Sequence, residues 1–513
     1  MPQPAVQPIK KLTAKLDEIG SLQVQKINER KNFVMQKQNN LVAGESRRNF
    51  IKKSSLAAAA VAATGIIKTP VYGADTAPST GRVIGANDRI NVGIVGVGRG
   101  IGINHATGII AEAGKNNVAL VSGSDLLESR RAWLRGEKEW NMPGEKIGLI
   151  KEPLKGADVY KEYQKVLERK DIDAVVIATH DVWHARICMD AMQAGKHVYC
   201  EKPMTRYLGE AFQVHDTVKS TGRIFQVGSQ GCSAMGWHRA AELARAGKIG
   251  SLVWAQGAYP RNNPKGEWNY PIYPETTAAN LDWQTWLGQV KHHPDINTNR
   301  DLAADHFHRW RKYYPYCGGL LGDLVPHRLH PLMLASGNPE FPSRVISIGT
   351  KHVHTDKLMT DGTPERDVPE HVTLTAQFPS GYMVTVTAST VNGSAPGFEI
   401  HGHKATLYLS DSGDRLELKP QRDFSEDVDP MTVSGLQPED IRIHEKNWFD
   451  CIRSNKQPNA GIDLAIRVQT VISLAEMSER LNMMCLFDEK TRKITDGTGK
   501  EVPALTYGTL DLS

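Results

Sequence analysis

The segment from Asp173 to Pro203 constrains the fold more than any other part of the chain. It begins with a short apolar run, Asp173–Thr179, passes through Thr179-His180-Asp181, continues with helical periodicity, and ends in a second apolar run, His197–Cys200. A buried strand, a helix and a second buried strand in this order predict a βαβ unit, whose strands are parallel. Glu201-Lys202-Pro203 then lies at the carboxyl edge of the sheet, where open α/β sheets bind ligands.

A glycine-rich turn precedes this unit. Arg89–Gly96 is a compact, β-branched segment typical of a buried parallel strand, and it leads into Gly96-Val97-Gly98-Arg99-Gly100. Gly96 permits a tight turn, and Gly98 lets the backbone approach a pyrophosphate, which the N–H groups of the following helix N-terminus would bind. Ile101 stands where the strict glycine pattern has its last glycine, and many glycine-rich turns bind nothing.

The next predicted strand, Asn117–Ser124, ends at Asp125. An acidic side chain at this place accepts hydrogen bonds from the adenosine ribose hydroxyls and repels a 2′-phosphate, so we expect NAD rather than NADP. The alternative is a solvated aspartate at a strand end. The order of turn, strand and acid favours the ribose role.

A βαβ unit that ends in Glu201-Lys202-Pro203 resembles the Gfo/Idh/MocA family of nicotinamide-dependent sugar and polyol oxidoreductases, and the resemblance extends from about Arg89 to about Leu481. It implies an α/β protein with an N-terminal Rossmann NAD-binding domain at residues 88–230. Residues 231–513 would form a C-terminal α/β domain with a large, mostly antiparallel open sheet that binds the substrate and mediates homo-oligomerisation. Alternating apolar residues between Val345 and Leu418 are typical of such a sheet.

The resemblance also implies a set of cofactor-binding residues. His184 is equally well explained as a structural, helix-capping histidine. His180 departs from the family, which has proline at this position. The residues expected to bind the cofactor are Gly96, Gly98, Arg99, Gly100, Asp125, Thr179, His184, Glu201, Lys202 and Gln230.

Lys202, Asp323 and His327 are the candidate catalytic residues. A lysine at the sheet's carboxyl edge could hydrogen-bond both the nicotinamide ribose and a substrate hydroxyl. Asp323 and His327 are four residues apart, and a helix that starts near Asp323 would place both on one face. The resemblance implies that they hold the substrate carbinol and that His327 removes its proton, a task that suits histidine because its pKa lies near neutrality. A structural pair is the alternative.

Substrate contacts are expected from the same three residues and from Arg309, Trp310 and Tyr314, because aromatic and arginine side chains suit sugars. They suit domain packing equally well. His330 stands where the family often has an acid. His306, His308, His327 and His330 are close in sequence but form no ligand triad, so we expect no metal.

The N-terminal region predicts export. Arg47-Arg48 precedes the apolar run Leu56–Ile67, and the small-residue stretch Val71-Tyr72-Gly73-Ala74 follows. This order is typical of a twin-arginine signal, which we assign to residues 1–74 and which implies a periplasmic or extracytoplasmic protein. A surface helix with a chance arginine pair is the alternative. The apolar run is shorter than the ~18–20 residues that span a bilayer.

The basic charge belongs to the same region. Residues 1–74 contribute +8 (12 Lys and Arg against 4 Asp and Glu) to a whole-chain net charge of +5, so residues 75–513 carry −3. A slightly acidic mature protein gives no electrostatic reason to expect nucleic-acid binding.

Three functions are consistent with these features. The first is an NAD(P)-dependent oxidoreductase acting on a sugar, sugar derivative or polyol. Because an exported enzyme has no pool of free NAD, the second is a redox-neutral glycosidase or epimerase that retains and recycles its cofactor. The third is a non-catalytic sugar or nucleotide sensor. The Glu-Lys-Pro sequence favours the first over the second, and intact Lys202, Asp323 and His327 argue against the third.

Overall fold

The computed structural model describes residues 88–142, 145–288, 300–354 and 366–507. The twin-arginine segment predicted within residues 1–74 lies outside them. None of the helices in the described ranges is long and apolar enough to cross a membrane.

The N-terminal domain is built on a six-stranded, fully parallel sheet with the strand order β5-β2-β1-β6-β7-β8. A separate hairpin, β3-β4, lies off this sheet. This order is that of a Rossmann fold and confirms the predicted βαβ unit, β6 to β7. The strands are β1 (Ile90–Val95), β2 (Val118–Ser124), β3 (Trp140–Met142), β4 (Glu145–Gly148), β5 (Val159–Tyr160), β6 (Ala174–Ile177), β7 (His197–Glu201) and β8 (Phe225–Gly228).

Helices cover both faces of this sheet, which explains why its central strands read as continuous apolar runs. All four residues of β6 are buried, as are those of β8. The helices of this domain are α1 (Ile101–Ala111), α2 (Ala113–Asn116), α3 (Glu128–Leu134), α4 (Tyr163–Glu168), α5 (Asp181–Gln193) and α6 (Leu208–Thr221).

The C-terminal domain contains a sheet of eleven described strands. Its order is β17-β16-β15-β14-β9-β12-β11-β10-β18-β19, and β13 pairs with β9. Only the β9–β12 pair is parallel, so the mostly antiparallel sheet that we expected is confirmed. The strands are β9 (Leu252–Asn262), β10 (Arg344–Thr350), β11 (His371–Gln377), β12 (Met383–Ser389), β13 (Val391–Asn392), β14 (Phe398–Gly402), β15 (Ala405–Leu409), β16 (Leu416–Pro420), β17 (Met431–Val433), β18 (Cys485–Asp488) and β19 (Lys493–Thr495).

Helices pack on one face of this sheet, and its strands alternate between buried and exposed residues, as in the buried-intermediate pattern of β11. The remaining helices are α7 (Met235–Arg245), α8 (Trp283–Leu287), α9 (Ala304–Arg309), α10 (Gly319–Asp323), α11 (Pro326–Ala335), α12 (Ile441–Ser454) and α13 (Ile462–Leu481).

The last two helices return to the Rossmann domain. Trp448 and Phe449 of α12 join the core around β1, and Ile462 and Ile466 of α13 join the core around β7. Further along α13, Glu476 forms a buried ion pair with Arg206, with N–O distances of 2.7 and 2.9 Å. The two sheets are therefore held together by shared apolar cores and a buried charge pair, and their relative position is fixed by packing.

A second connection runs in the opposite direction. Residues 268–288 and 300–316, here called the covering segment, lie between β9 and α10 in the chain and pack on the carboxyl edge of the Rossmann sheet. Leu281 forms a backbone bridge with Leu127, and the Trp183 indole donates to the carbonyl oxygens of Thr285 and Trp286 at 3.1 and 3.3 Å. The covering segment thus forms the outer wall of the cleft at that edge.

Candidate active site

The glycine-rich turn has the geometry that a pyrophosphate needs. Gly96 has a φ of +86°, in the left-handed region, and a Cβ on Gly102 would come within 2.5 Å of the Gly96 carbonyl oxygen. Both positions therefore require glycine, and Ile101 does not disturb the turn. Gly100 precedes α1, and no side chain caps the helix N-terminus. Ile103 and Asn104 donate their N–H groups to the carbonyl oxygens of Gly98 and Gly100, which leaves the N–H groups of Ile101 and Gly102 for an anion.

Asp125 lies just beyond β2, at the adenosine end of this cleft. Its carboxylate accepts the N–H groups of Val97 at 2.8 Å and Leu127 at 2.9 Å, and these bonds orient it. Carboxylate oxygens have further lone pairs that could accept ribose hydroxyls. The nearby Ser124 hydroxyl is buried and has no hydrogen-bond partner among the described residues. Arg130 approaches the same carboxylate at 3.5 Å, so a cation stands beside the predicted ribose site.

The covering segment encloses the cleft from the other side. The Trp286 ring stacks on His180 with a centroid distance of 4.2 Å, and the Arg130 guanidinium lies 4.9 Å from the centroid of Phe307. The Arg99 guanidinium lies over the ring of Tyr270 at 4.7 Å. The cleft thus combines a glycine turn, an uncapped helix N-terminus, an oriented acid and aromatic walls. This donor set fits a dinucleotide, with the pyrophosphate at Gly98–Gly102 and the ribose at Asp125.

Lys202 connects the two domains at the end of β7. Its Nζ donates to Asp323 twice, at 2.5 Å to Oδ1 and at 2.8 Å to the backbone carbonyl oxygen. Arg311 of the covering segment donates to the same Oδ1 at 3.0 Å. Burial alone would raise the pKa of Asp323, but the charges of Lys202 and Arg311 outweigh it and hold that pKa well below its usual range. Asp323 is therefore an anion that two cations share.

His327 lies next to this group, although not as the sequence predicted. We expected one helix starting near Asp323, but Asp323 ends α10, and Pro326 begins α11 after a break at Leu324 and Val325. Pro326 has no N–H to donate to the preceding turn and suits the first turn of a new helix, in agreement with a break just before it. His327 is half-buried, with its ring centroid 5.3 Å from that of Tyr259. Its ring nitrogens form no hydrogen bond with another described residue.

Electrostatics favour the neutral form of His327. Burial lowers the pKa of its imidazole, and the positive charges of Lys202, Arg328 and Arg261 lower it further, while Asp323 opposes them only in part. The pKa is thus well below the usual value for histidine. The ring is neutral at physiological pH and has a nitrogen free to act as a base.

Three further residues that we predicted to bind the cofactor are His184, Glu201 and Gln230. His184 is buried, and its two nitrogens face the carbonyl oxygens of Pro203 at 2.7 Å and Thr179 at 3.1 Å. It therefore ties the Thr179 turn to the Lys202 turn, a structural role other than the helix capping that we considered, and its cofactor contact stays a prediction. Glu201 is buried, and its carboxylate lies 2.9 Å from His105; its cofactor contact stays a prediction. Gln230 is buried at the carboxyl end of β8.

The three additional substrate candidates, Arg309, Trp310 and Tyr314, lie in different surroundings. Trp310 lines the cofactor cleft beside Arg311, whose guanidinium stacks on its ring at 4.2 Å. Arg309 donates to the backbone carbonyl of Tyr270 at 2.9 Å and so holds the covering segment. The Tyr314 hydroxyl donates to Glu479 at 2.7 Å and borders another crevice, so the structure does not bring Tyr314 to Lys202. The substrate role of Tyr314 stays a prediction, because sequence adjacency does not show which side of a segment a residue occupies.

Of the four histidines that are close in sequence, the three other than His327 contact different residues. His306 stacks on Tyr313, His308 lies 2.7 Å from the Thr276 hydroxyl, and His330 lies 2.9 Å from the Pro326 carbonyl. Within the ranges that the structure describes, no three His, Cys, Asp or Glu side chains are arranged to hold a metal ion.

Sequence reasoning missed two charged groups at the site. Arg311 is the second cation on Asp323, and only its position beside Arg309 and Trp310 could have indicated it. Asp181 is buried at the start of α5, where burial raises its pKa to about 6 despite nearby His184 and Arg311. Its place in the Thr179-His180-Asp181 turn was the only available signal.

Comparisons with known proteins agree with this geometry. Residues 90–229 match the model of the oxidoreductase family with an NAD-binding Rossmann fold, and residues 284–408 match the GFO/IDH/MocA C-terminal domain. Together the two matches cover just over half of the chain.

The curated relatives are similar to this chain over only part of their own length. A glycosyl hydrolase family 109 protein 2 of Shewanella sp. (strain ANA-3) is 30% identical over 272 residues, which is 50% of this chain and 57% of the relative. A glycosyl hydrolase family 109 protein of Solibacter usitatus is 27% identical over 264 residues, 49% of this chain and 56% of the relative. The chain therefore matches only a little over half the length of these relatives.

Solved structures show the same fold at low identity. Levoglucosan dehydrogenase in complex with NADH and levoglucosan is 20% identical with a TM-score of 0.56, covering 77% of this chain and 99% of that one. Aldose-aldose oxidoreductase from Caulobacter crescentus, complexed with glycerol, is 17% identical with a TM-score of 0.55, covering 78% and 100%. Both domain matches and these neighbours lead to one conclusion: the chain belongs to the Gfo/Idh/MocA oxidoreductase family and has its NAD-binding Rossmann domain.

Proposed function

We propose that this protein is an NAD-dependent oxidoreductase that acts on a carbinol carbon of a sugar, sugar derivative or polyol. One observation carries the proposal: Lys202, Asp323 and His327 converge at the carboxyl edge of the Rossmann sheet, beside the cofactor cleft. A neutral histidine next to a lysine–aspartate pair is the arrangement that removal of a hydroxyl proton requires.

In this proposal the glycine-rich turn and Asp125 would hold NAD, which would supply the acceptor for the hydride of the carbinol carbon. His327 accepts the hydroxyl proton on a ring nitrogen, so a carbinol becomes a carbonyl without a further reactant. Lys202 donates a hydrogen bond to the reacting oxygen and stabilises the negative charge that develops on it. Asp323 and Arg311 hold the Lys202 ammonium in place, and the covering segment excludes water from the cleft.

Aromatic and arginine side chains around His327 support a polyhydroxylated substrate. Arg261 donates to the Tyr259 hydroxyl at 3.2 Å, and the Arg328 guanidinium lies over the Tyr259 ring, 4.5 Å from its centroid. Flat apolar faces beside fork-shaped donors suit the C–H faces and hydroxyls of a sugar.

A redox-neutral reaction is the second candidate. Glycosyl hydrolase family 109 relatives favour it, as does the cleft enclosed between the Rossmann sheet and the covering segment. In that case retained NAD would supply a transient hydride acceptor, and His327 and Lys202 would move the hydroxyl proton away and back as the sugar is oxidised and reduced again. The two candidates differ in what happens to bound NAD when sugar is added: net oxidation leaves it reduced, whereas the redox-neutral reaction returns it to the oxidised form.

We further propose that a second copy of the chain covers the open face of the C-terminal sheet. Ile346 and Ile348 of β10 and Met383 of β12 are 47%, 66% and 41% exposed, and they lie on the face opposite the helices. An apolar group on a broad sheet face is typical of a subunit interface. Export by the twin-arginine route is likewise proposed, on the residues around Arg47-Arg48.

His327→Gln should reduce the rate of nicotinamide reduction by sugar about 10²–10⁴-fold, because it removes the base. NADH affinity, measured by fluorescence titration, should persist. In the active protein the rate should remain high well below pH 6.5, since His327 protonates only at a pH below its usual pKa. His401→Gln, on the outer sheet face, is the control. Turnover at the parental rate in the His327 variant would exclude His327 as the base.

Asp125→Ala should weaken NAD binding and relax the preference for NAD over NADP. The reason is that Arg130 remains at the ribose site without its anionic neighbour and can attract a 2′-phosphate. Dissociation constants for both cofactors measure the effect. Adding Arg130→Met should remove the gain in NADP affinity. An unchanged ratio of the two constants in Asp125→Ala would contradict the ribose assignment.

Replacing Ile346 and Ile348 together with Lys should convert the proposed oligomer into a monomer, because a desolvated charge opposes association. Sedimentation velocity measures the mass. Leu149→Lys changes an exposed apolar residue of the Rossmann domain and should have no effect. A parental protein that sediments as a monomer would reject the interface.

Replacing Arg47 and Arg48 together with Lys should leave the protein in the cytoplasm of a host with twin-arginine export, since that route reads the arginine pair. Fractionation followed by immunoblotting locates it. Lys52→Arg with Lys53→Arg preserves the charge and should be exported. Unchanged export of the variant that lacks the arginine pair would refute this proposal.

A further inference from the structure

His105 lies on α1, the helix that follows the glycine-rich turn, and is fully buried. Its Nε2 is 2.9 Å from a carboxylate oxygen of Glu201, and its Nδ1 is 2.6 Å from a carboxylate oxygen of Glu445. Glu201 ends β7, and Glu445 belongs to α12. One imidazole therefore joins the cofactor helix, the strand that carries Lys202 and a helix that returns from the C-terminal domain.

The charges around His105 are balanced. Both glutamates are buried, and Arg442 donates to Glu445 at 2.6 Å. Arg442 also bonds Asn104, so it clamps α12 to α1 a second time. Two carboxylates, one arginine and one imidazolium sum to zero. A neutral imidazole would leave one uncompensated negative charge in the interior, which is costly.

The hydrogen-bonding pattern requires the same protonation state. Ionised carboxylates only accept hydrogen bonds, so each ring nitrogen that faces one must carry a proton. Burial lowers the pKa of His105, but hydrogen bonds from the ring to Glu201 and Glu445 more than compensate and raise that pKa to about 9. The other titratable groups that face the cluster are Tyr199, 5.0 Å from the His105 ring, and His444, which lies against Tyr199.

Glu201 connects this cluster to the active site. The backbone N–H of Lys202 donates to its second carboxylate oxygen at 3.3 Å, so one side chain is held both by His105 and by the start of the Lys202 turn. On its other side stands Gly228 of β8, where a Cβ would collide with the carboxylate. The Glu201 side chain is therefore confined by its neighbours, and its position fixes the start of the turn that carries Lys202.

We propose that His105 is a positioning residue: as an imidazolium shared by Glu201 and Glu445, it fixes the Lys202 turn relative to the helix that binds the cofactor phosphates. This inference rests on the proposed function, because it assigns His105 to the placement of Lys202 in that reaction. No other side chain type would serve equally, since two opposed donors on a rigid ring are needed to join two carboxylates.

The proposal predicts an alkaline transition. His105 gains its partners on folding, so its pKa rises from the usual 6.5 to about 9. The stabilisation is complete below about pH 6.5 and is lost as the pH rises through about 9. Above that pH, Glu201 and Glu445 face each other without the intervening positive charge, and the Lys202 turn should loosen.

His105→Gln tests the kinetic consequence. It should reduce the rate constant for nicotinamide reduction by about 10²-fold, the usual cost of misplacing a catalytic group by 1 Å, with NADH affinity retained. It should also abolish the alkaline transition near pH 9. Glu445→Gln should move the transition to lower pH, because it removes one of the two carboxylates. His197→Gln, at the opposite end of β7, should change neither property.

Nuclear magnetic resonance of ¹⁵N-histidine and ¹⁵N-lysine labelled protein provides a readout that needs no sugar. The His105 signals, assigned through His105→Gln, should show both nitrogens protonated at pH 7.5 and titrate near pH 9, and the Lys202 signal should move in the same transition. A neutral His105 at pH 7.5 would overturn the proposal, as would a parental rate and pH profile in His105→Gln.

The two readouts separate the proposals. If no sugar reduces the bound NAD but the histidine and lysine signals titrate together, the proposed reaction fails while the His105 cluster keeps its positioning effect on Lys202. If sugars reduce NAD and His105→Gln behaves like the parental protein, the reaction stands and the positioning role is refuted.

Discussion

The contact between Lys202 and Asp323 is the interaction on which the site depends. It joins the end of a Rossmann strand to the end of α10 in the other domain, at 2.5 Å, and it sets the electrostatic state of everything nearby. Lys202 keeps Asp323 ionised, and its positive charge helps to keep His327 neutral. A neutral imidazole and an ammonium group are thereby brought close together at the junction of the two domains, as the proposed reaction needs.

Much of the remaining structure holds that contact in place. Helices α12 and α13 leave the second sheet and bury apolar side chains in the cores of the first. The covering segment runs the other way and closes the cofactor cleft with Trp286, Phe307 and Trp310. His184 ties the Thr179 turn to the turn after Lys202, and His105 ties the cofactor helix to the residue before it. The lysine is thus held from both of its neighbours in the chain.

Local sequence pattern predicts some parts of this molecule and not others. Buried parallel strands read as apolar runs, so the βαβ unit, the glycine turn and Asp125 can be placed from the amino-acid sequence alone. Asp323 and His327 are indicated by the family resemblance, and their four-residue spacing predicts one helix. In the structure that helix breaks at Leu324 and Val325, just before Pro326. By contrast, Arg311 and His105 owe their roles to contacts across more than one element. Glu445 is 340 positions from His105 in the chain, and no local pattern relates them.

The most direct test of the central claim is the absorbance of reduced nicotinamide in purified protein loaded with NAD, followed as sugars and polyols are added. The account predicts that at least one sugar or polyol reduces the bound NAD in the parental protein and that the same compound fails to do so in Lys202→Met. Regeneration of oxidised NAD within the same mixture would identify the redox-neutral candidate. Reduction at the same rate in Lys202→Met, or none with any sugar or polyol in the NAD-loaded parental protein, would contradict the account.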